Sequence, residues 1–232
     1  MSPYLIVGAS SGIGKALANK LAETDIRVFG TYNATSIQSD HPNITYHHLN
    51  VLESAWDLDF LPDTLSGLLY CPGTIDLKPF KRISPADFVA DYNLQVVGAI
   101  KTIQAVLPKL QNSDNATITL FSTVAVQLGM PFHSMVAASK GAIEGLTRAL
   151  AAEFAPKIRV NCIAPSLTDT PLATSLLNTD QKKDASAQRH PLKRVGTSED
   201  IANMASFLLS EQASWISGQV MHVDGGMSSL KI

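Results

Sequence analysis

Residues 8–14 read Gly-Ala-Ser-Ser-Gly-Ile-Gly, and they directly follow the apolar run Tyr-Leu-Ile-Val at residues 4–7. An alanine-rich amphipathic stretch at residues 15–21 comes next. This order predicts a strand, a glycine-rich turn and a helix. The glycines permit a sharp turn and the close approach of a phosphate, and the N–H groups at the helix start then face the anion. The segment therefore predicts a dinucleotide-binding turn.

Apolar strand candidates alternate with helical patterns along the rest of the chain. The predicted strands cover residues 4–8, 26–31, 45–49, 66–71, 116–122, 158–164 and 219–223. The predicted helices cover residues 12–23, 85–110, 134–155 and 198–210. Such alternation is typical of right-handed βαβ units, so we predict an α/β fold: a Rossmann-type, doubly wound parallel sheet in a single domain over residues 1–232.

Two connections leave little room for a helix. Residues 33–44 are mostly polar, and Pro62 interrupts the short stretch between residues 50 and 68. We therefore expect reduced helices after the second and third strands.

Bulk composition narrows the classes of function. The 232 residues carry a formal net charge of −2, with a pI near 6.3, so we expect neither a nucleic-acid nor a membrane partner. No apolar run approaches the roughly 20 residues of a membrane span. Cys71 and Cys162 fit neither a metal site nor a disulfide framework, and the first strand begins without a signal peptide before it. These features predict a cytoplasmic protein without a bound metal.

Six sequence blocks follow one another along nearly the whole chain. They are residues 8–14, 70–73 (Tyr-Cys-Pro-Gly), 92–98, 137–142 (Ala-Ala-Ser-Lys-Gly-Ala), 159–166 with Thr170, and 218–226. Together they resemble the short-chain dehydrogenase/reductase family. The resemblance implies a nicotinamide cofactor and hydride transfer between that cofactor and a carbonyl or alcohol of a small apolar substrate.

The resemblance also implies where the cofactor binds. Its phosphates would rest on the glycine turn, its ribose would be held by the Lys140 amine, and its nicotinamide would lie beside the segment after the sixth strand. The residues expected to bind it are Gly8, Ser10, Ser11, Gly12, Ile13, Gly14, Thr31, Tyr32, Asn33, Asn50, Val51, Cys71, Pro72, Gly73, Lys140, Pro165, Ser166, Leu167 and Thr170.

The end of the second predicted strand bears on the choice of cofactor. NAD-selective members of such folds carry Asp or Glu there to bind the ribose hydroxyls. Here the position falls near Tyr32, with no carboxylate beside it. Because a 2′-phosphate is then permitted, we expect NADP(H) to be preferred over NAD(H), although no Arg or Lys stands in the turn to pair with it.

The catalytic block departs from the family pattern at one position. The family places a tyrosine four residues before its lysine, and that position is Val136, which cannot exchange a proton. The family's serine hydroxyl falls on Thr123, and its neighbour Ser122 is a second candidate that would face the other side of a strand. Asn93 matches the asparagine that holds a water in the family's proton relay.

Two sources of the missing proton remain open. His133 is the nearest ionisable side chain, and the enoyl reductases of the superfamily carry their tyrosine at that position. Alternatively, His133 is a polar loop residue ahead of a helix whose N-cap is Ser134. A water relay between Lys140 and Asn93 is the other source. The residues expected to be catalytic are therefore Asn93, Thr123, His133 and Lys140.

Three functions follow from these features. The first is an NADP(H)-dependent oxidoreductase that acts on C=O or CH–OH groups. The second, suggested by Val136, is a catalytically impaired NADP-binding sensor or scaffold protein. The third, suggested only by the position of His133, is an enoyl-type C=C reductase.

The surroundings of the site support three further expectations. Residues 170–196 are polar and irregular, and they follow a predicted parallel strand, so we expect a substrate lid there. Small residues in the 134–155 helix permit close helix packing, and the resemblance implies a homo-oligomer, either a dimer or a tetramer. An apolar substrate pocket could be lined by Leu128, Met130, Phe132, Leu172 and Leu176.

Overall fold

The computed structural model describes residues 3–39 and 41–231. Its strands are β1 (Tyr4–Val7), β2 (Val28–Tyr32), β3 (Ile44–His48), β4 (Gly67–Tyr70), β5 (Ala116–Phe121), β6 (Ile158–Pro165), β7 (Thr168–Asp169), β8 (Gly196–Thr197) and β9 (Val220–Val223). Seven of them form one parallel sheet in the order β3-β2-β1-β4-β5-β6-β9, and β7 pairs separately with β8. The predicted doubly wound parallel sheet is confirmed.

Helices cover both faces of the sheet. They are α1 (Gly12–Ala22), α2 (Pro85–Tyr92), α3 (Gly98–Gln111), α4 (Ala125–Leu128), α5 (Ser134–Phe154), α6 (Thr174–Leu177), α7 (Asp180–Gln188) and α8 (Ser198–Leu209). Side chains of α3 and α5 pack in one core, and those of α1 and α8 pack in the other. None of the helices within the described residues is long and apolar enough to cross a membrane.

Strand β1 illustrates why the sheet needs two covered faces. Leu5 and Val7 enter one core, whereas Tyr4 and Ile6 enter the other, because successive side chains of a strand point to opposite faces. Burial on both faces explains why the strand is apolar throughout instead of alternating with polar residues. The chain runs outward from β1 through β2 to β3 and then returns to β4, so a crevice opens where the direction reverses.

The reduced helices expected after the second and third strands are also confirmed. Neither the described residues between β2 and β3 nor those between β3 and β4 contain a helix. Aromatic side chains cover the sheet there instead. The Phe60 ring stacks on His47 at 3.8 Å between centroids, and Trp56 donates a hydrogen bond to the carbonyl of Asn50 at 2.8 Å.

The long helix predicted over residues 85–110 is interrupted in its middle. It begins with a capping box, in which Ser84 and Asp87 bond each other's backbone N–H groups. Residues 93–97 then wind as a π-helical turn before α3 begins. Because a π turn holds an extra residue, it changes which side chains face the sheet, and Gln95 and Val96 are the buried ones.

The π turn is fixed by a contact with β4. The Tyr70 hydroxyl donates to the carbonyl of Leu94 at 2.5 Å. A Cβ on Gly98 would lie only 2.2 Å from that hydroxyl oxygen. Glycine at position 98 therefore lets the tyrosine reach the backbone of the turn.

We predict that Gly98→Ala destabilises the protein by about 1–3 kcal/mol, because the added methyl displaces a buried hydroxyl with little room to move. Urea unfolding measures the loss. In the Tyr70→Phe background the same substitution should cost clearly less, since the clashing oxygen is gone. Equal costs in the two backgrounds would contradict the contact.

Candidate active site

One cavity of about 1080 Å³ lies over the carboxyl ends of the central strands. Its wall includes Gly8 after β1, Thr31 in β2, Cys71 after β4, Phe121 in β5 and Pro165 in β6. This is the edge at which the strand order reverses, where ligands of open α/β sheets bind.

The glycine turn forms one wall of this cavity. Gly8 and Gly12 have φ angles of +79° and +52°, which side chains other than glycine rarely adopt. A Cβ on Gly14 would lie 2.3 Å from the carbonyl oxygen of Gly8. The N-cap residue of α1, Ser11, makes no side-chain hydrogen bond to the helix, so the first N–H groups of α1 remain available to an anion.

Thr31 ties this turn to the second strand. Its Oγ1 accepts from the N–H of Gly8 at 3.1 Å, and its carbonyl accepts from the N–H of Ala9 at 2.9 Å. Thr31 therefore shapes the glycine turn through its own side chain and backbone.

Among residues 3–39 and 41–231, the end of the cavity beside β2 and β3 is lined by no charged side chain. Besides Thr31 and Val51, it is lined by Asn33, Ala34, Thr35, Ser36 and Ile37. Two predicted cofactor residues are not in the wall. The Tyr32 ring packs edge-on against His48, and the Asn50 side chain accepts from the N–H of Leu52 at 3.1 Å, closing the turn after β3. The other residues expected to bind the cofactor all line the cavity.

Lys140 projects from α5 into the middle of the cavity. Its amine lies 3.6 Å from the position that a Cβ on Gly73 would take, so glycine at 73 leaves room for it. Burial lowers the pKa of the Lys140 amine to about 8. Within residues 3–39 and 41–231, no group forms a hydrogen bond or ion pair with this amine. Its capacity as a donor is therefore free for a ligand.

Val136 and Thr123 line the same cavity as Lys140. Val136 is one helical turn earlier in α5 and presents only methyl groups to the cavity. Thr123 follows β5, and its Oγ1 accepts from the N–H of Ala125 at 3.3 Å, which leaves the hydroxyl proton free to donate. The neighbouring Ser122 hydroxyl donates to Glu144 at 2.7 Å and is already committed.

His133 lines the cavity at the start of α5. Its Nδ1 lies 2.7 Å from the carbonyl oxygen of Pro131. A carbonyl only accepts, so Nδ1 carries the proton, and Nε2 of the neutral ring is an acceptor. The expectation that Ser134 caps this helix is wrong: His133 occupies the N-cap position, and Ser134 is the first helical residue.

The structure does not bring Asn93 to the cavity. Its side chain is exposed on the outer side of the π turn. Gln95, two residues later, is 1 % exposed and lines the cavity instead. The π turn explains this difference. A regular α-helical count along residues 85–110 ignores the extra residue of the turn, so it does not predict which side chains face the cavity.

A buried carboxylate holds Gln95 in place. Asp91 is only 5 % exposed. Each of its two carboxylate oxygens accepts a hydrogen bond from Gln95 Nε2 at 2.7 Å. The carboxylate also accepts from the Ser139 hydroxyl at 2.6 Å and from the Thr74 hydroxyl at 2.5 Å. Neither Asp91 nor Gln95 was among the residues predicted from the sequence. The available signal was two polar residues four apart on an apolar helix face.

The far end of the cavity follows β6. Ser166 Oγ lies 2.8 Å from Nε2 of His190, whose Nδ1 donates to the carbonyl of Ser186 at 2.8 Å. Helices α6 and α7, within residues 170–196, pass over this end. Of the five apolar pocket candidates, Met130, Leu172 and Leu176 line the cavity, whereas Leu128 and Phe132 are exposed outside it.

These features fit a nicotinamide dinucleotide. The open glycine turn and uncapped helix start suit its phosphates, and the unpaired Lys140 amine suits a ribose hydroxyl. The Pro165–Thr170 segment lines the same cavity, with Thr170 packed close to Gly12 of the glycine turn, and a nicotinamide would lie beside this segment.

Comparison with known proteins gives a consistent result. A family model described as Enoyl-(Acyl carrier protein) reductase matches residues 57–228. A 3-oxoacyl-[acyl-carrier-protein] reductase of Chlamydia muridarum is 32 % identical, over 97 % of this chain and 96 % of its own. A tropinone reductase homolog of Arabidopsis thaliana is 30 % identical, over 97 % and 92 %.

Among solved structures, a tyrosine-to-phenylalanine variant of ElxO with NADPH bound superposes with a TM-score of 0.86 at 24 % identity, covering 99 % of this chain and all of that one. This likeness shows the shared fold. Together with the family model and the two relatives, it identifies the chain as a member of the short-chain dehydrogenase/reductase family of oxidoreductases.

Proposed function

We propose that this protein is an NADP(H)-dependent oxidoreductase that reduces a carbonyl, or oxidises the corresponding alcohol, of a small apolar substrate. The observation that carries the proposal is one continuous cavity that joins the glycine turn, the Lys140 amine and the Thr123 hydroxyl. The two relatives, one a 3-oxoacyl reductase and the other a tropinone reductase homolog, are both named for reductases.

The preference for NADP(H) is supported by the uncharged end of the cavity. Among the described residues no carboxylate lines this end to repel a 2′-phosphate, and Asn33, Thr35 and Ser36 offer neutral hydrogen-bonding groups. Hydrogen bonds to a charged phosphate are stronger than those to a ribose hydroxyl. The NADPH held by the ElxO variant, a protein of the same fold, agrees with this preference.

The bound nicotinamide would supply or accept the hydride. The protein's part is to place and polarise the substrate. Thr123 donates its free hydroxyl proton to the substrate oxygen, and this hydrogen bond strengthens as negative charge develops there. Val136, Met130, Leu172 and Leu176 provide apolar surface around the substrate. The 170–196 segment acts as the lid that excludes water.

Two alternative functions can be distinguished from this one by experiment. Val136 favours a non-catalytic sensor, but a sensor has no need of a free Thr123 hydroxyl beside the Lys140 amine. The description of the matching family model favours an enoyl-type reduction. A screen of NADPH consumption over ketones, aldehydes and enones distinguishes the three, since a sensor binds NADPH without turnover.

Self-association as a dimer or tetramer belongs to the same proposal. Phe80, Val89 and Tyr92 expose large apolar side chains in and beside α2, and Trp215 is almost fully exposed. Covering such side chains is a reason for a subunit to pair.

We predict that Gly14→Ala weakens NADPH binding at least tenfold, because its Cβ would meet the carbonyl oxygen of Gly8 and distort the phosphate turn. Fluorescence titration measures the dissociation constant. Gly145→Ala in α5 is the matched control, since a Cβ there meets nothing within 4 Å. It should leave binding unchanged and stabilise the helix by about 0.5–1 kcal/mol. Equal binding by both variants would contradict the assignment of the turn.

The cofactor preference has its own test. We expect NADPH to bind about tenfold more tightly than NADH, as one hydrogen bond to a charged group would give. Asn33→Asp should reverse the order, because a carboxylate repels the 2′-phosphate and accepts from ribose hydroxyls. Tighter binding of NADH by the unmodified protein would overturn the preference.

Thr123→Val should lower kcat/KM by about 10²–10³ with any ketone that the screen identifies, because it removes a hydrogen bond to the developing oxyanion. Ser122→Ala is the matched control: its hydroxyl is held by Glu144, so kcat/KM should fall by less than about threefold. If both variants lose activity equally, Thr123 does not contact the substrate oxygen.

A further inference from the structure

The side-chain amide of Gln95 has hydrogen-bond partners at its nitrogen but not at its oxygen. Its Nε2 is held by both carboxylate oxygens of Asp91 at 2.7 Å, which fixes the orientation of the amide. Its Oε1 is fully buried and has no hydrogen-bond partner in the described part of the chain. A buried carbonyl oxygen without a donor is unfavourable, so its retention here needs an explanation.

The orphan oxygen faces the same small space as the Lys140 amine. Gln95 Oε1 lies 3.3 Å, and Lys140 Nζ 3.6 Å, from the position that a Cβ on Gly73 would occupy. One group is an acceptor without a donor, and the other is a donor without an acceptor. The absence of a side chain at Gly73 leaves the space between them open to a direct contact or a single water.

Carbonyl reduction at this site needs a proton, and most other ionisable groups of the cavity are poorly suited to give one. His133 holds the carbonyl of Pro131 through Nδ1, and the His133→Ala variant described below tests it as a competing donor. Both nitrogens of His190 are hydrogen-bonded. Burial raises the pKa of the Cys71 thiol to about 12. Lys182 bonds Ser175 and Asn178. Arg189 stays charged at all accessible pH values.

We propose that Lys140 is the proton donor of this site and that Asp91 and Gln95 position its amine. The inference rests on the proposed function. Val136 removes the side chain that would otherwise stand between this amine and a substrate oxygen. Asp91 is a positioning residue that acts through Gln95, and Gln95 is a positioning residue that acts on Lys140.

The proposed reduction adds one hydride and one proton to the carbonyl group. As a hydride from the nicotinamide reaches the carbonyl carbon, the π electron pair of the C=O bond moves to oxygen. One N–H bond of the Lys140 ammonium breaks, and its proton forms the O–H bond of the alcohol. Lys140 is left as a neutral amine. Lys140 lines a cavity that opens to solvent, so its amine recovers a proton from water.

The charges around Lys140 set the expected pH dependence. Asp91 in α2, Cys71 after β4 and Cys162 in β6 face it, and Glu144 lies one turn further along α5. Burial raises the pKa of both thiols to about 12, so they are neutral, and Glu144 is occupied by Ser122 and Arg148. Asp91 accepts from three donors, as a carboxylate does. Reduction needs the ammonium form, so its rate should fall as pH rises through about 8.

The first test needs neither cofactor nor turnover. NMR of lysine-labelled protein, assigned with Lys140→Arg, follows the ionisation of the Lys140 amine against pH. Gln95→Met removes the acceptor and should lower the pKa of Lys140 by about 1, whereas the matched Gln104→Met, an exposed position in α3, should not change it. Asp91→Asn should have a smaller effect in the Gln95→Met background than alone. An unchanged pKa in Gln95→Met, or equal effects of Asp91→Asn in both backgrounds, would overturn the positioning roles.

The second test uses the holoenzyme. Lys140→Arg should keep NADPH binding within about tenfold but lose turnover at least 100-fold, since a guanidinium does not release its proton. The high-pH fall of kcat/KM should move to lower pH in Gln95→Met and persist in His133→Ala. A His133→Ala variant without that fall, or an active Lys140→Arg, would overturn the donor assignment. Failure to bind either nucleotide would instead refute the proposed function.

Discussion

The parallel pairing of β1 with both β2 and β4 is the constraint on which the rest of the site depends. Because the chain leaves β1 in one direction and β4 in the other, the connections at their carboxyl ends diverge and leave a crevice. The start of α1 opens into that crevice with uncapped N–H groups. The glycine turn, the Lys140 amine and the Thr123 hydroxyl line one cavity because the turn, helix α5 and the segment after β5 all lie at the same edge of the sheet.

Within this crevice the polar groups fall into two layers. Thr123 and Lys140 face the open space and have unused hydrogen-bonding capacity. Behind them, Asp91 gathers Thr74, Gln95 and Ser139 into a buried cluster. A buried carboxylate is tolerated only when its oxygens are well supplied with donors. The cluster therefore links α2, the π turn and α5 rigidly, and this rigidity keeps the Lys140 backbone fixed relative to the cavity.

In the proposed mechanism, Val136 leaves both ribose binding and proton donation to Lys140. In the family pattern one helical turn carries both a proton donor and the lysine that holds the ribose, whereas here that turn carries only the lysine. Burial lowers the pKa of the Lys140 amine to about 8. In the proposed mechanism this suits the amine to donate a proton near neutral pH.

The sequence by itself predicted the parallel sheet and the glycine turn, because apolar periodicity and glycine spacing are local properties. The family resemblance pointed to Thr123, His133 and Lys140, which line the cavity. The sequence did not determine the register of residues 85–110. Asn93 was expected to face the cavity, but Gln95 lines the cavity instead. That choice depends on the contact between Tyr70 and Leu94, two residues far apart in the chain. Likewise, Tyr32 and Asn50 do not line the cavity as predicted. The Tyr32 ring packs against His48, and the Asn50 side chain accepts a hydrogen bond from the N–H of Leu52. Only the tertiary structure could place Asp91 beside Ser139, since that hydrogen bond joins two helices whose packing no local pattern encodes.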